Sequence, residues 1–146
     1  MHDIQKEFNT YLDKLSKEIS LYKNESELWD TSGKINNSPG NLALHLCGNL
    51  NHYIGATLLN NGYVRERDLE FSQKNIPREV ILQKIAGVKE MLEIFFSDLP
   101  DSKLKELYPK DYYGEGATNL NVLFILAFHL SYHVGQIDYH RRINNF

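Results

Sequence analysis

Several features that mark particular classes of protein are scarce or missing in this chain of 146 residues. It has one cysteine, Cys47, so it cannot form an internal disulfide. Its longest apolar run, residues 122–128, is far shorter than the ~20 residues that a membrane-spanning helix needs. The N-terminus carries no apolar segment of the secretory type. These absences predict a cytoplasmic protein that does not associate with membranes.

An excess of positive charge is also missing. The chain has 16 Lys plus Arg against 19 Asp plus Glu, which gives a net charge of −3. Affinity for a phosphate backbone comes from clustered cations, so we expect no nucleic-acid partner. The length and the 42% hydrophobic content predict one domain over residues 1–146 with a single core.

No segment alternates apolar and polar residues with the period of a strand. Apolar residues instead recur every three or four positions, which predicts helices over residues 3–24, 38–61, 77–97 and 119–143. Ser38 and Pro39 are typical of a helix start, and Gly62 is typical of a helix end. The pattern predicts an all-α protein, an up-and-down four-helix bundle.

Two long connections join these helices. Residues 24–37 are predicted as a loop with Trp29 as its one large apolar residue, and the stretch before Thr118 as a short helix at 102–108 followed by a loop. Residues 63–75 are predicted as a polar connection. Gly48 and Gly55 lie on one stripe of the second helix, which predicts the close approach of a neighbouring helix.

The chain contains six histidines, and two of them form a pair on the fourth helix. His129 and His133 are four residues apart, so they lie about 40° apart on the helix surface and can reach one metal ion. No Glu follows His129, so the general base of the zinc metalloproteases is missing. Two histidines at this spacing, without a third ligand, also occur on solvated helix faces and at polar positions in a protein core.

His45 adds a candidate third ligand from the second helix. It lies in an apolar stretch, where a lone histidine is more often a hydrogen-bonded core residue. In an up-and-down bundle, however, the second and fourth helices start at the same end, and His45 and His129 lie about 10 and 15 Å into them. Three imidazoles can then meet and leave one coordination position open, as in catalytic metal sites.

The remaining histidines and the cysteine are predicted to stay outside this site. His52 lies two turns, about 10 Å, beyond His45 and is expected at a pocket margin or the surface. His140 lies near the end of the fourth helix, and His2 at the chain terminus. Cys47 points away from the metal face, and we interpret it as a small buried hydrophobic residue rather than a reactive thiol.

Two stretches carry a family resemblance, namely residues 44–49 (LHLCGN) and, more specifically, residues 129–137 (HLSYHVGQI). With these motifs and with the number and order of its helices, the chain resembles the DinB/YfiT superfamily of small four-helix metalloproteins. The resemblance covers essentially the whole chain. It implies that His45, His129 and His133 bind a divalent metal, that the fold is an up-and-down bundle, and that homodimers are frequent.

The resemblance also implies a choice of functions. Some superfamily members transfer a low-molecular-weight thiol to an electrophile or use such a thiol in an isomerisation, others are described as hydrolases, and many have no assigned activity. Our leading hypothesis is a thiol-dependent transferase that acts on a small molecule with zinc or nickel, since imidazole suits both metals. A metal-dependent hydrolase and a non-catalytic metal-binding or interaction protein remain as alternatives.

Four further residues are candidates for a substrate pocket. Asn49 and Gln136 each follow a predicted ligand by about one turn, where they can hold substrate or bound water or cap a buried polar group. Trp29 and Tyr113 lie in the two long connections, which we expect to cover the same end of the bundle and to supply a pocket wall.

The fourth helix is apolar on more sides than one core can use. Phe124, Phe128 and Tyr132 are large residues on this helix. An exposed apolar surface of this kind favours association between copies, so we predict a symmetric homodimer with the second or fourth helix at its interface.

Overall fold

The computed structural model describes residues 3–144, and helices form most of this part of the chain. The long helices are α1 (Asp3–Leu21), α2 (Pro39–Leu50), α4 (Arg78–Ser97) and α6 (Asn119–Asn144), and the short ones are α3 (Arg67–Ser72) and α5 (Asp101–Lys105). Within residues 3–144 there is no strand, and Leu107 and Thr118 form an isolated bridge. The prediction of an all-α protein with four main helices is confirmed, while His2 lies outside the described residues.

The four long helices enclose one apolar core. Helix α1 buries a stripe at helical spacing that includes Phe8, Leu12 and Leu15, and it packs against α4 and α6. Helix α2 packs against the same two helices, so α1 and α2 occupy diagonal positions in the bundle, and α4 and α6 occupy the other two. Each fully buried side chain of this size contributes about 1.5–3 kcal/mol to folding.

The direction of α4 differs from the predicted alternation. Helices α1 and α4 are antiparallel, since the rings of Phe8 and Phe96 lie 6.2 Å apart while Arg78 donates to the Tyr22 carbonyl at 2.8 Å. After α2, the chain returns to the start of that helix, where Asn41 donates to a carbonyl of the returning segment. Helix α4 therefore begins at the same end as α2 and runs in the same direction.

Helices α2 and α6 are antiparallel, which corrects the expectation that both begin at the same end. One cavity brings Leu42 beside Gln136, and another brings Tyr53 beside Ile125. Residue numbers thus rise along α2 as they fall along α6. The predicted meeting of the second and fourth helices near their histidines still occurs, because those residues lie close to the middle of each helix.

Helix α2 also ends sooner than predicted. The regular α-helix stops at Leu50 and continues as a π-helical turn, Asn51–Ala56, in which Thr57 N donates to the His52 carbonyl at 3.1 Å. The predicted stop signal at Gly62 is real, because this residue has φ +80°. Single π-helical turns are frequent at functional sites, and this one carries Tyr53.

The connections contain more structure than the sequence pattern indicates. The predicted polar connection at residues 63–75 includes helix α3, and the predicted loop at residues 24–37 includes a 3-10 helix, Glu25–Trp29. Both segments are too short to show a helical period, which is why the pattern missed them. The predicted short helix near residues 102–108 is present as α5.

Helix α6 has one buried and one exposed side. Leu123, Leu130 and Val134 are fully buried, whereas Phe128 is 68% exposed and Tyr132 is 65% exposed. By length and composition alone α6 could cross a membrane, since its most apolar 18-residue window has a mean hydropathy of 1.3 and is 39% buried. One such helix is weak evidence, because the core helix of a soluble protein passes the same test.

Candidate metal centre

Three histidine side chains from α2 and α6 meet inside the helix assembly. The Nε2 atom of His129 lies 3.2 Å from Nε2 of His45 and 3.1 Å from Nε2 of His133. The ring centroids of His45 and His133 are 5.5 Å apart. His45, His129 and His133 therefore form a cluster that can hold a metal ion.

Hydrogen bonds alone cannot satisfy both contacts at His129. A neutral imidazole nitrogen carries either one N–H or one lone pair in the plane of the ring. The Nε2 atom of His129 can therefore make only one of its two N···N contacts as a good hydrogen bond. A cation between the three nitrogens satisfies all of them at once.

The spacing of the nitrogens fits such a cation. With metal–nitrogen bonds of about 2.0–2.1 Å, ligand nitrogens lie about 3.3–3.4 Å apart in a tetrahedral site and about 2.8–3.0 Å apart in an octahedral one. The observed separations of 3.1 and 3.2 Å fall between these values. The cluster thus fits a divalent ion, and its geometry does not distinguish zinc from nickel.

Outer hydrogen bonds hold two of the three rings. The Nδ1 atom of His133 donates to Oε1 of Gln136 at 2.7 Å, and Nδ1 of His45 donates to Oε2 of Glu70 at 2.9 Å. An acceptor at Nδ1 keeps the proton there and leaves the lone pair on Nε2 for a metal. Among the described residues, Nδ1 of His129 is buried without a partner.

Glu70 is the part of this site that the sequence pattern missed. Helix α3 places its carboxylate behind His45, where Arg65 donates from Nε at 2.7 Å and from Nη2 at 2.9 Å. Burial by itself raises the pKa of Glu70, but the hydrogen bonds from His45 and Arg65 outweigh it and hold that pKa below its ordinary value. The carboxylate therefore remains charged and accepts all three bonds.

Gly48 allows this carboxylate to approach α2. A Cβ atom at position 48 would overlap the Glu70 carboxylate, so the position requires the absence of a side chain. The predicted close approach at Gly48 is confirmed, and the approaching group is the buried side chain of Glu70 on α3. A Gly–Glu pair some twenty residues apart has no periodic signal in a single sequence.

The protonation state of the cluster suits metal binding. Burial lowers the pKa of His129 to about 4, with smaller contributions from the charges of His133, His45 and Arg65. Burial also lowers the pKa of His133. At neutral pH both imidazoles are therefore neutral, which is the form that ligates a metal.

Two cavities border the cluster from different directions. The arginine cavity, of about 260 Å³, lies beside His45 and His129 and is also lined by Asn49, Tyr53, Arg65, Arg67, Tyr113, Ile125 and Leu126. The loop cavity, of about 710 Å³, lies beside His133, between residues 34–42 and the second half of α6. The cluster therefore contacts both cavities.

The structure brings three of the four predicted pocket residues to these cavities. Asn49 lines the arginine cavity with its buried Oδ1 atom unpartnered among the described residues, and Tyr113 lines it too. Gln136 borders the loop cavity and holds His133. Trp29 lies elsewhere, with its ring against Gly40, so the expectation that Trp29 and Tyr113 cover the same end is wrong.

The other two described histidines and the cysteine lie outside the three-histidine cluster, as predicted. His52 packs its ring against Tyr53 and Tyr112, at centroid distances of 4.8 and 5.9 Å. His140 is buried and meets the Tyr22 hydroxyl at 3.0 Å. Cys47 is buried, and burial raises the pKa of its thiol to about 12, so it is an unreactive core residue.

A scan against models of known protein families finds no match to this chain, and a search of curated proteins finds no significant match. The likeness to the DinB/YfiT superfamily therefore rests on the two histidine motifs and on the helix count and order. The structure agrees with that likeness at the coarser level of an all-helical protein with a buried three-histidine cluster.

The contribution of each histidine can be separated by substitution. We expect His45→Ala to weaken zinc binding by more than about 100-fold, because it removes a ligand rather than one of the outer partners, whose loss typically costs 10–100-fold. His52→Ala is the matched control on the same helix stripe and is expected to bind zinc like the wild type. Competition titration with a chromogenic chelator measures both, and equal affinities would contradict the assignment of His45.

The Glu70 carboxylate is expected to support zinc affinity through His45. Glu70→Gln removes the charge and offers an amide in its place, and Gly48→Ala displaces the carboxylate, so each is expected to weaken zinc binding by about 10- to 100-fold. Glu79→Gln, at an exposed position on α4, serves as the control. Circular dichroism checks the helix content of each variant, and wild-type affinity in folded Glu70→Gln would disprove the role of Glu70.

Proposed function

We propose that this chain is a metal-dependent transferase of the DinB/YfiT type that adds a low-molecular-weight thiol to a small electrophile. The observation that carries the proposal is the convergence of three Nε2 atoms on a point bordered by two cavities. Three protein ligands leave a coordination position for a substrate, as catalytic zinc sites do. Two cavities beside that position provide room for two reactants.

A divalent ion held by three neutral imidazoles keeps its full charge, lowers the pKa of a bound thiol and polarises an electrophile. The chain's own residues hold and orient the reactants. Glu70 and Gln136 keep the proton of two ligand rings on Nδ1, and Asn49 Oδ1 accepts a hydrogen bond from an N–H or O–H of a reactant. In the reaction, the sulfur forms a bond to the electrophilic carbon, the leaving group departs with the bonding electron pair, and the thiol proton passes to solvent.

The lining of the cavities favours thiol transfer over hydrolysis. Among the described residues, no Asp or Glu lines either cavity, and Glu70 is occupied behind His45. Hydrolysis that uses a carboxylate to take the proton of water therefore lacks its base here, so a hydrolase would have to use a water whose pKa the metal ion lowers. A thiol, with an ordinary pKa near 8.5, ionises far more readily and needs no such base. A hydrolase is the second candidate, supported by the unpartnered Asn49 Oδ1, which could hold water.

Activity with a panel of thiols and electrophiles tests the proposal. We expect zinc- or nickel-loaded protein to form thioether products, and His133→Ala to reduce kcat/KM by more than about 100-fold, since loss of a ligand disturbs the metal more than loss of an outer partner. His52→Ala should retain activity. Mass spectrometry detects the conjugates. Hydrolysis of esters or amides without any thiol would instead favour the hydrolase, and a closed four-coordinate centre would favour a non-catalytic role.

We also propose that the exposed side of α6 forms a symmetric homodimer interface. Phe124 is 43% exposed and Phe128 is 68% exposed, and their rings stack with centroids 6.2 Å apart. Adjacent exposed aromatic residues on one helix face are typical of an association surface, and a twofold dimer buries the same patch on both copies.

Phe128→Glu is expected to dissociate this dimer, because it places two charges in an apolar interface. Sedimentation equilibrium at micromolar concentration should give twice the 17.0 kDa chain mass for the wild type and the single chain mass for the variant. Leu107→Glu is the matched control, since Leu107 is also 68% exposed but lies off α6. A wild type that sediments only as a single chain would contradict the proposal.

We further propose the cytoplasm as the compartment of this protein. The chain has one cysteine, which is buried and unpaired. A transferase that consumes a thiol depends on a supply of reduced thiol, and the cytosol keeps thiols reduced. Thiol transfer and a cytoplasmic location therefore support each other.

A further inference from the structure

We propose that the arginine cavity binds a carboxylate group of the substrate, with Arg67 as the residue that recognises it. This inference rests on the proposed function, because it concerns a molecule whose other end reaches the three-histidine cluster. The cavity connects the two sites directly, since His45 and His129 line it together with Arg65 and Arg67.

The charge of the cavity favours an anion. Two guanidinium groups line it, and within the described residues it contains no acidic side chain. The charge of Arg65 is balanced by Glu70, which accepts from both Nε and Nη2. Arg67 is exposed to solvent, and none of the ion pairs found among residues 3–144 involves it. The cavity therefore carries one positive charge that a ligand can neutralise.

The guanidinium of the exposed Arg67 side chain packs against an aromatic ring. Its guanidinium carbon lies 5.2 Å from the centroid of the Phe71 ring, and that ring lies 4.9 Å from the ring of His45. A guanidinium that stacks on an aromatic ring keeps its N–H groups free at its edge. Those N–H groups match the two oxygens of a carboxylate, which a guanidinium binds through two parallel hydrogen bonds.

A second, independent observation points to a ligand in the same cavity. Asn49 is 7% exposed, and its Oδ1 atom is buried without a hydrogen-bond partner among the described residues. Leaving a buried polar atom without a partner costs free energy, so its presence requires an explanation. A ligand that donates an N–H or O–H to Asn49, once this amide turns its Oδ1 atom toward the cavity, while its carboxylate meets Arg67 accounts for both residues.

The size and walls of the cavity limit the ligand further. Its volume of about 260 Å³ is small for a binding cavity and suits a small organic acid. Tyr53 and Tyr113, with ring centroids 5.2 Å apart, supply aromatic walls for its carbon skeleton. The ligand class is thus a small carboxylic acid with a hydrogen-bond donor.

Calorimetry with zinc-loaded protein tests this inference, with succinate, its uncharged analogue succinamide and inorganic phosphate as probes. We expect succinate to bind at least tenfold more tightly than succinamide, and Arg67→Ala to weaken succinate binding by about 10- to 100-fold with zinc affinity unchanged. Arg142→Ala, at an exposed arginine on α6, is the matched control and is expected to have no effect.

Three results would overturn the inference. They are equal affinity for succinate and succinamide, an Arg67→Ala effect no larger than that of Arg142→Ala, and tighter binding of phosphate than of succinate. The visible spectrum of cobalt-loaded protein shows whether succinate binds to the ion itself. If succinate changes this spectrum at the same concentration in the wild type and in Arg67→Ala, it binds to the ion alone, which would also overturn the inference. Binding that depends on Arg67, without thiol transfer in any assay, would support this inference and contradict only the proposed transferase activity.

Discussion

The arrangement of this molecule depends on three imidazole nitrogens that lie within 3.2 Å of their neighbours in the cluster. A neutral hydrogen bond from or to Nε2 of His129 can satisfy only one of its two contacts, and the other brings two nitrogens of the same kind together unless a positive charge lies between them. Burial lowers the pKa of His129 to about 4, so a proton is a poor candidate for that charge at neutral pH. A divalent cation resolves the conflict, and the outer hydrogen bonds of His45 and His133 leave their Nε2 atoms ready for it.

The path of the chain between α2 and α4 places a carboxylate behind the His45 ring. Because α4 runs in the same direction as α2, the chain must return along α2 before α4 begins. That return brings Arg65, just before α3, and Glu70, on α3, to the far side of the His45 ring. A direct antiparallel connection would leave no segment to place a carboxylate there. Gly48 completes the arrangement, since any larger residue would exclude Glu70.

The two cavities differ in chemistry, and the return segment supplies the charge of the arginine cavity. Arg65 and Arg67 place positive charge on the side of His45 and His129, whereas Tyr132, Tyr139 and Ile143 line the cavity beside His133. Two reactants that meet at one ion would therefore encounter a cationic surface on one side and a largely apolar surface on the other.

Short-range patterns in the sequence were sufficient to predict the four long helices and the pair His129 and His133, because helical period and spacing are local properties. His45 was added as a candidate on the expectation that the second and fourth helices start at the same end, which is wrong, and it meets His129 because both residues lie near the middle of their helices. The antiparallel pairing of α2 and α6, the π-helical turn and the position of Trp29 depend on contacts between distant segments. So does the role of Glu70: no periodicity links it to His45, 25 residues away, and only the folded return of the chain past Gly48 brings the two together.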